Sequence, residues 1–312
     1  MKPELAGFAE MTTLHQALKS AQQALTALPH ANPELEAALL LSHLLDKPRS
    51  HLFAWPEQEL TEQQYQCYLQ LIQRRLSHEP VAYITGQREF WSLTLKVNPH
   101  TLIPRPETEL LVERSLHHLA QRPRCRIADL GTGSGAIALA LASEHPQAEI
   151  LATDISAEAL AQARENSAGF GFERISFHQG SWCEALPAED RFDLIVSNPP
   201  YIEAGDPHLD QGDLPLEPEL ALVSGKDGLN AIRDIIRQVG SGRLKPGGWL
   251  LLEHGYQQAD AVQELLNAAG FLRISTHKDL AGHPRVTEAQ ATGARDQHNW
   301  YLTLANLTSS NR

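Results

Sequence analysis

The residues best suited to chemistry in this chain of 312 residues are Asn198-Pro199-Pro200-Tyr201, directly after the apolar run Asp193-Leu194-Ile195-Val196-Ser197. The run reads as a buried parallel strand. The Pro-Pro pair stops it, because proline has no N–H to donate and holds the residue before it extended. An Asn at the carboxyl end of a buried strand lies where open α/β sheets bind ligands. The nitrogen of an amide or aromatic amine is a poor nucleophile, since its lone pair is delocalised. The Asn198 side-chain oxygen and the Pro199 carbonyl can accept both of its hydrogens and turn the lone pair outward, with Tyr201 as a flat wall. Each such neutral bond is worth about 0.5–1.5 kcal/mol net; the larger effect is orientation. The same four residues also read as a plain rigid turn, since Asn-Pro commonly opens one.

A second set lies upstream. Asp129-Leu130-Gly131-Thr132-Gly133-Ser134-Gly135 joins a strand to a helix that begins at Ala136. Glycines at alternate positions allow a sharp turn and close ligand approach. The spacing is G-x-G-x-G, unlike the dinucleotide G-x-G-x-x-G, and the loop holds no basic residue. Asp154 ends the next strand, about 20 residues on, where a carboxylate can accept the hydroxyls of a ribose. A lone glycine loop is weak evidence. The loop, the acid and the Asn-Pro-Pro-Tyr turn, all on carboxyl ends of one sheet, form a strong set. A stiff segment, Leu102-Ile103-Pro104-Arg105-Pro106-Glu107-Thr108-Glu109, precedes another helix. Arg105 and Glu107 there read either as a solvated helix start or as part of a loop that closes over a substrate.

Positioning these residues requires an alternation of strands and helices. Strands are expected at Arg126–Leu130, Glu149–Thr153, Ile175–His178, Asp193–Ser197, Trp249–Glu253, Leu272–Thr276 and Trp300–Leu304. Helices are expected at Ile137–Glu144, Ala157–Ser167, Ala231–Val239 and Ala259–Ala269. That order predicts a doubly wound, mainly parallel sheet. The first 80 or so residues read as helices. Thr12 or Thr13 caps one carrying Leu14, Leu18 and Leu25. Asn32-Pro33 opens a second, and Thr61 with Gln64 makes a capping box for a third. Phe90–Val97 has strand character and suggests a hairpin. The boundaries expected are 1–85 for a helical, substrate-recognising bundle, 86–105 for a hairpin linker, 106–307 for the α/β domain and 308–312 for a frayed tail. The region Gly282–Asn299 reads as irregular.

Composition narrows the class. With 42% hydrophobic residues the chain can bury one large or two ordinary cores. A formal net charge of −12 is poorly suited to non-specific binding of a phosphate backbone. Three separated cysteines suggest neither a disulfide framework nor a zinc site. The histidines show no metal-ligand spacing, so no metal is expected. The amino terminus lacks a signal pattern and no apolar run is long enough to span a membrane, so a cytoplasmic protein is expected.

Taken together, Asp129–Gly135, Asp154 and Asn198–Tyr201 resemble the S-adenosylmethionine-dependent class I methyltransferases that act on planar nitrogens. Glu79-Pro80-Val81-Ala82-Tyr83-Ile84-Thr85-Gly86, Phe90-Trp91 and Ile103-Pro104-Arg105-Pro106-Glu107-Thr108-Glu109 are similar to the protein-(glutamine-N5) methyltransferases of peptide chain release factors. The resemblance covers nearly the whole chain. It implies an α/β, Rossmann-like class I methyltransferase sheet of seven mainly parallel strands, preceded by a small all-helical domain and a β-hairpin linker. It places Gly131, Thr132, Gly133, Ser134 and Gly135 by the methionine part of S-adenosyl-L-methionine, Asp154 on the ribose and Trp182 against the adenine. The plainer reading of Trp182 is a core aromatic. Asn198, Pro199 and Tyr201 are implied to be catalytic, with Pro200 and Arg105 also at the substrate and Asn198 bordering the cofactor. The implied substrate is the glutamine of a release factor's Gly-Gly-Gln motif, and a monomer without stable DNA binding is expected. Ser181 stands where relatives often carry Asp, which weakens any expectation of a carboxylate on the adenine amino group. Three alternatives are weighed. A sister group acting on a ribosomal protein usually departs from Pro-Arg-Pro-Glu-Thr-Glu. An adenine-N6 DNA methyltransferase would need a basic groove and room for a flipped base. A non-catalytic binding protein is disfavoured by the intact Asp129, Asp154 and Asn198.

Overall fold

The computed structural model describes residues 12–292, so the strand expected at Trp300–Leu304 and the tail at 308–312 lie outside the described residues. The chain divides into two compact units, one running to Gly86 and including Pro207–Leu216, the other formed by the rest.

The first unit holds α1 (Leu14–Leu25), α2 (Pro33–Leu45), α3 (Arg49–Ala54), α4 (Glu62–Leu76) and α5 (Val81–Thr85). Local chemistry starts these helices. The Thr13 hydroxyl accepts from Gln16 N–H while the Gln16 side chain accepts from Thr13 N–H, and Thr61 with Gln64 repeats the arrangement. Asn32 caps α2, and Pro33 occupies its first turn. Leu14, Leu18, Leu25, Leu40, Leu41 and Ile72 bury one apolar core. Tyr68 joins it, its hydroxyl donating to the Ala37 carbonyl at 2.9 Å so that no polar group is left unsatisfied. Arg75, only 4% exposed, pairs with Glu36 at 2.8 Å and with Asp213 at 2.9 Å, which ties the Pro207–Leu216 segment to α4.

The second unit opens with a hairpin of β1 (Gln87–Phe90) and β2 (Leu93–Lys96), antiparallel as expected. Its turn residues Trp91 and Ser92 both have positive φ, 52° and 60°. This conformation is costly for non-glycine residues. Trp91 is held in it by two bonds at 2.9 Å, backbone N–H to Glu109 and indole N–H to Glu144. Phe90 and Leu95 are buried in this unit's core. There follow α6 (Glu109–Leu119), β3 (Arg126–Leu130), α7 (Ala136–Glu144), β4 (Glu149–Asp154), α8 (Ala157–Gly169), β5 (Ile175–Gln179), β6 (Phe192–Ser197), α9 (Asn230–Gly240), β7 (Leu244–Glu253), α10 (Ala259–Ala268), β8 (Leu272–Lys278) and β9 (Pro284–Gln290).

Among the described residues, seven strands form one sheet in the order β5-β4-β3-β6-β7-β9-β8. Pairings from β5 through β7 are parallel, and β9 is antiparallel to both neighbours. Alternate side chains along the strands feed two apolar layers. Ile127, Leu194 and Val196 pack with Leu139 and Leu141 of α7 on one face. Ala128, Ile195 and Leu250 pack with Ile232 and Ile235 of α9 on the other. The expectation of irregularity over Gly282–Asn299 is corrected for its described part, because Pro284–Gln290 is an inner strand of the sheet. Its pattern hid it: between the buried Val286 and Ala289 lie Thr287 and Glu288, polar yet also buried. Glu288 is tolerated there because Arg114 donates to it at 3.0 and 3.1 Å and His118 and His277 lie at 3.0 and 3.1 Å. Although burial alone would raise it, these partners hold its carboxyl well below the usual range.

Candidate active site

Chain order places the site. From β3 the chain moves outward to β4 and β5 and then crosses back to β6 on the other side of β3. The carboxyl ends of β3 and β6 therefore flank a switch point, the usual place for a ligand in an open α/β sheet. Register does the rest. Leu130 pairs with Thr153 and with Ser197, and Ser197 pairs with Leu252. One residue further along each strand stand Gly131, Asp154, Asn198 and Glu253, in a row across four neighbouring strand ends.

A cavity of about 450 Å³ opens there, lined among others by Gly131, Gly133, Asp154, Trp182, Asn198 and Pro200. Thr132, Ser134 and Gly135 do not line it. They build the loop instead: the Thr132 hydroxyl donates to Asp129 at 2.7 Å, and the Ser134 carbonyl accepts from Asn166 at 2.9 Å. Asn166 also bonds Lys96 N–H and C=O at 2.8 and 2.9 Å, so the hairpin helps hold the loop. Gly131 has φ +75°, and a Cβ on it would stand 3.0 Å from Trp182 Cζ3. Trp182 is half-buried; it packs against the second apolar layer and also lines the cavity.

Two carboxylates organise the loop. Asp154 accepts Gly133 N–H and Ser156 N–H, each at 2.9 Å, one on each oxygen. A carboxylate offers about four lone-pair positions, so acceptor capacity toward the cavity remains. Burial raises its pKa, and these bonds oppose the rise. Asp129 is buried beneath the loop. Its Oδ2 takes the Thr132 hydroxyl and, at 3.2 Å, the Ala138 N–H, while its Oδ1 has no partner. Burial pushes its pKa up to about 7, with Asp154 adding to the rise.

A pH signature follows. The folded state retains a proton on Asp129 that the unfolded chain gives up near pH 4. This residue's contribution to stability is therefore full below about pH 4 and is lost as pH rises to about 7. Asp129→Asn preserves both acceptor bonds and cannot ionise. Its stability relative to wild type should climb between those pH values, by up to about 4 kcal/mol, and then level off. Urea unfolding at several pH values reads this; a difference independent of pH would show that Asp129 titrates normally.

On the other side of the row, Asn198 is half-buried and its Nδ2 donates to Thr108 Oγ1 at 3.1 Å. Pro199 is buried. The Tyr201 hydroxyl donates to Glu253 Oε1 at 3.4 Å, and burial raises the Tyr201 pKa. Arg105 turns to Glu217, whose side chain is fully buried and whose second oxygen accepts Ile103 N–H at 3.0 Å. Glu217 thereby joins the stiff proline segment to the loop after the Asn-Pro-Pro-Tyr turn. Sequence reasoning missed Glu217, Thr108 and Glu253 as site-building groups. Glu253 alone carried a signal, an acid closing a wholly apolar strand.

The geometry suits a neutral-to-cationic nucleoside ligand. Glycine backbone, an aromatic face and a carboxylate line the cavity, and among the described lining residues there is no Lys or Arg to meet a phosphate. No group of His, Cys, Asp and Glu among the described residues could hold a metal ion, and no described helix is long and apolar enough to cross a membrane.

Known proteins bear on these findings. Residues 16–86 match the family model described as the PrmC N-terminal domain, and residues 121–305 match that of a methyltransferase domain. A release factor glutamine methyltransferase of Vibrio cholerae is 48% identical over 284 residues, 91% of this chain and 99% of that one. One of Coxiella burnetii is 49% identical over 280 residues, 90% and 99% of the two chains. The catalytic domain of hMettl16 is 15% identical, with a TM-score of 0.53 over 74% of this chain and 82% of that one, and shares the fold alone.

Proposed function

The chain belongs to the release factor glutamine methyltransferase family, and we propose that it methylates the side-chain nitrogen, N5, of the glutamine in the Gly-Gly-Gln motif of peptide chain release factors. The observation that carries this reading is the in-register row of Gly131, Asp154 and Asn198 at the switch point of the sheet. It sets a nucleoside-type cavity beside a turn able to accept two N–H hydrogens.

S-adenosyl-L-methionine, when bound, supplies an electrophilic methyl group on a positively charged sulfur, already a good leaving group. Gly131 and Gly133 give it room at the backbone, Asp154 takes the ribose hydroxyls and Trp182 flanks the adenine. Asn198 Oδ1 and the Pro199 carbonyl accept the two hydrogens of the glutamine amide, and Pro200 and Tyr201 enclose its side chain. Held so, the nitrogen presents its lone pair to the methyl group. No strong base is needed beforehand, because the nitrogen can lose its proton to water after transfer. Positioning supplies most of the catalysis. Arg105, bound to the buried Glu217, shapes the substrate side of the entrance rather than the reacting centre.

The helical unit is the natural substrate-recognising part, since it offers no chemistry of its own. The enzyme is read as a cytoplasmic monomer that does not bind DNA stably, and the net charge of −12 supports the last point. The test is methyl transfer from labelled cofactor in one mixture of release factor, its Gly-Gly-Ala variant and duplex DNA. Label on the wild-type factor alone is expected. Label on DNA, or on the variant equally, would overturn the reading.

A further inference from the structure

We propose that Gln258 is a positioning residue: its side-chain amide fixes the exit of the Asn-Pro-Pro-Tyr turn and thereby aims the Pro199 carbonyl at the substrate nitrogen. The inference rests on the substrate role given to that turn above.

The need for such a residue lies in the two prolines. Pro199 and Pro200 have no N–H, and the peptide that carries the Pro199 carbonyl ends at the Pro200 nitrogen. Donation from within the turn therefore cannot hold that peptide plane. It must be held from its two ends. At the entrance the sheet does so: Ser197 pairs with Leu130 and Leu252, and its hydroxyl donates to the Leu130 carbonyl at 2.6 Å. At the exit the chain leaves the sheet. There the Tyr201 carbonyl accepts from Gln258 Nε2 at 3.0 Å. Ile202, the next residue, donates its N–H to the Leu222 carbonyl and accepts from Ser224 N–H, both at 2.9 Å.

Gln258 stands directly before α10, half-buried, and its amide can face only one way. Gly255 N–H, which can only donate, meets Oε1 at 2.9 Å. The Tyr201 and Asp227 carbonyls, which can only accept, lie 3.0 and 3.2 Å from Nε2, one for each of its hydrogens. Turning the amide over would break all three bonds. One side chain thus joins the exit of the turn, the segment ahead of α9 and the loop between β7 and α10. Gly228 shows how closely the parts fit. Its φ is +70°, and a Cβ there would overlap both the Tyr201 oxygen and Gln258 Nε2. Gln258 does not itself line the cavity, so it acts through the turn rather than on either ligand.

The experiment measures kcat at saturating cofactor and release factor, together with affinity for S-adenosylhomocysteine. It compares wild type, Asn198→Ala, Gln258→Met, Gln258→Glu and the double variant Asn198→Ala with Gln258→Met. Gln258→Met keeps the length of the side chain and loses all three bonds. Gln258→Glu, when ionised, keeps the acceptor for Gly255 N–H and loses both donors. Each should lower kcat about tenfold with S-adenosylhomocysteine affinity unchanged. In the Asn198→Ala background, Gln258→Met should cost less than about threefold, because both residues serve the alignment of one atom. Full turnover in Gln258→Met with Asn198→Ala impaired would overturn the inference and leave the substrate reading standing. Full turnover in Gln258→Glu would also overturn it, since support of Gly255 rather than of Tyr201 would then explain any loss in Gln258→Met. So would an undiminished loss in the Asn198→Ala background, the mark of an independent structural role. Unchanged turnover in Asn198→Ala would overturn the substrate reading and this inference with it.

Discussion

Asn198→Ala should lower kcat for methyl transfer by about two to three orders of magnitude, with affinity for S-adenosylhomocysteine altered little. The size follows from the role proposed for the residue. One neutral hydrogen bond is worth only about 1 kcal/mol, but an incorrectly turned lone pair forfeits alignment with the methyl group, and alignment accounts for several kcal/mol of a transfer barrier. The proposed cofactor side should be spared because Gly131 and Gly133 lie in the loop after β3 and Asp154 ends β4, held by their own bonds: Gly131 N–H to the Thr153 carbonyl, and Gly133 and Ser156 N–H to Asp154. Single-turnover kinetics with titration of the cofactor product separates the two effects. A variant that turns over normally would leave the turn as a rigid corner and nothing more.

Asp154→Ala should give the opposite pattern. Affinity for S-adenosylmethionine should fall by more than about a hundredfold, and kcat at saturating cofactor should change much less. Hydrogen bonds to a charged acceptor are worth about 1.5–3 kcal/mol each, and a ribose presents two hydroxyls. The same carboxylate also anchors Gly133 N–H and Ser156 N–H. Its removal loosens the loop as well as the contact. Calorimetric titration checks this; an affinity within a few fold of wild type would remove Asp154 from the cofactor site. The two substitutions together form a crossed pair, one failing in chemistry and the other in binding, that a general loss of structure cannot imitate.

The parts of the molecule that could be read from residue order are those governed by local rules. Asn32-Pro33 and Thr61 with Gln64 announced helix starts because capping is settled within a few residues. The strands β3, β4, β6 and β7 were visible as apolar runs because their carboxyl-terminal halves are buried on both faces. Asp129–Gly135, Asp154 and Asn198–Tyr201 stood out because each follows such a run. What could not be read was register. Nothing in the order of residues says that Leu130, Thr153, Ser197 and Leu252 line up, and that line is what brings Glu253 beside Asn198. The Glu217 contact with Arg105 was hidden for a related reason, since it joins two loops more than a hundred residues apart in the chain. Strand β9 escaped notice because the polar Thr287 and Glu288 interrupt its buried Val286 and Ala289, with Glu288 satisfied there by ion pairs.

The most direct test of the Asn-Pro-Pro-Tyr template is a crystal structure of the protein with S-adenosylhomocysteine and a release factor, or a peptide carrying its Gly-Gly-Gln motif. The glutamine side-chain nitrogen is predicted to lie within about 3.2 Å of both Asn198 Oδ1 and the Pro199 carbonyl, with its open face toward the cofactor sulfur. A glutamine amide bound elsewhere, or one meeting the nitrogen of the Asn198 side chain, would contradict the assignment of this turn as the element that orients the reacting atom.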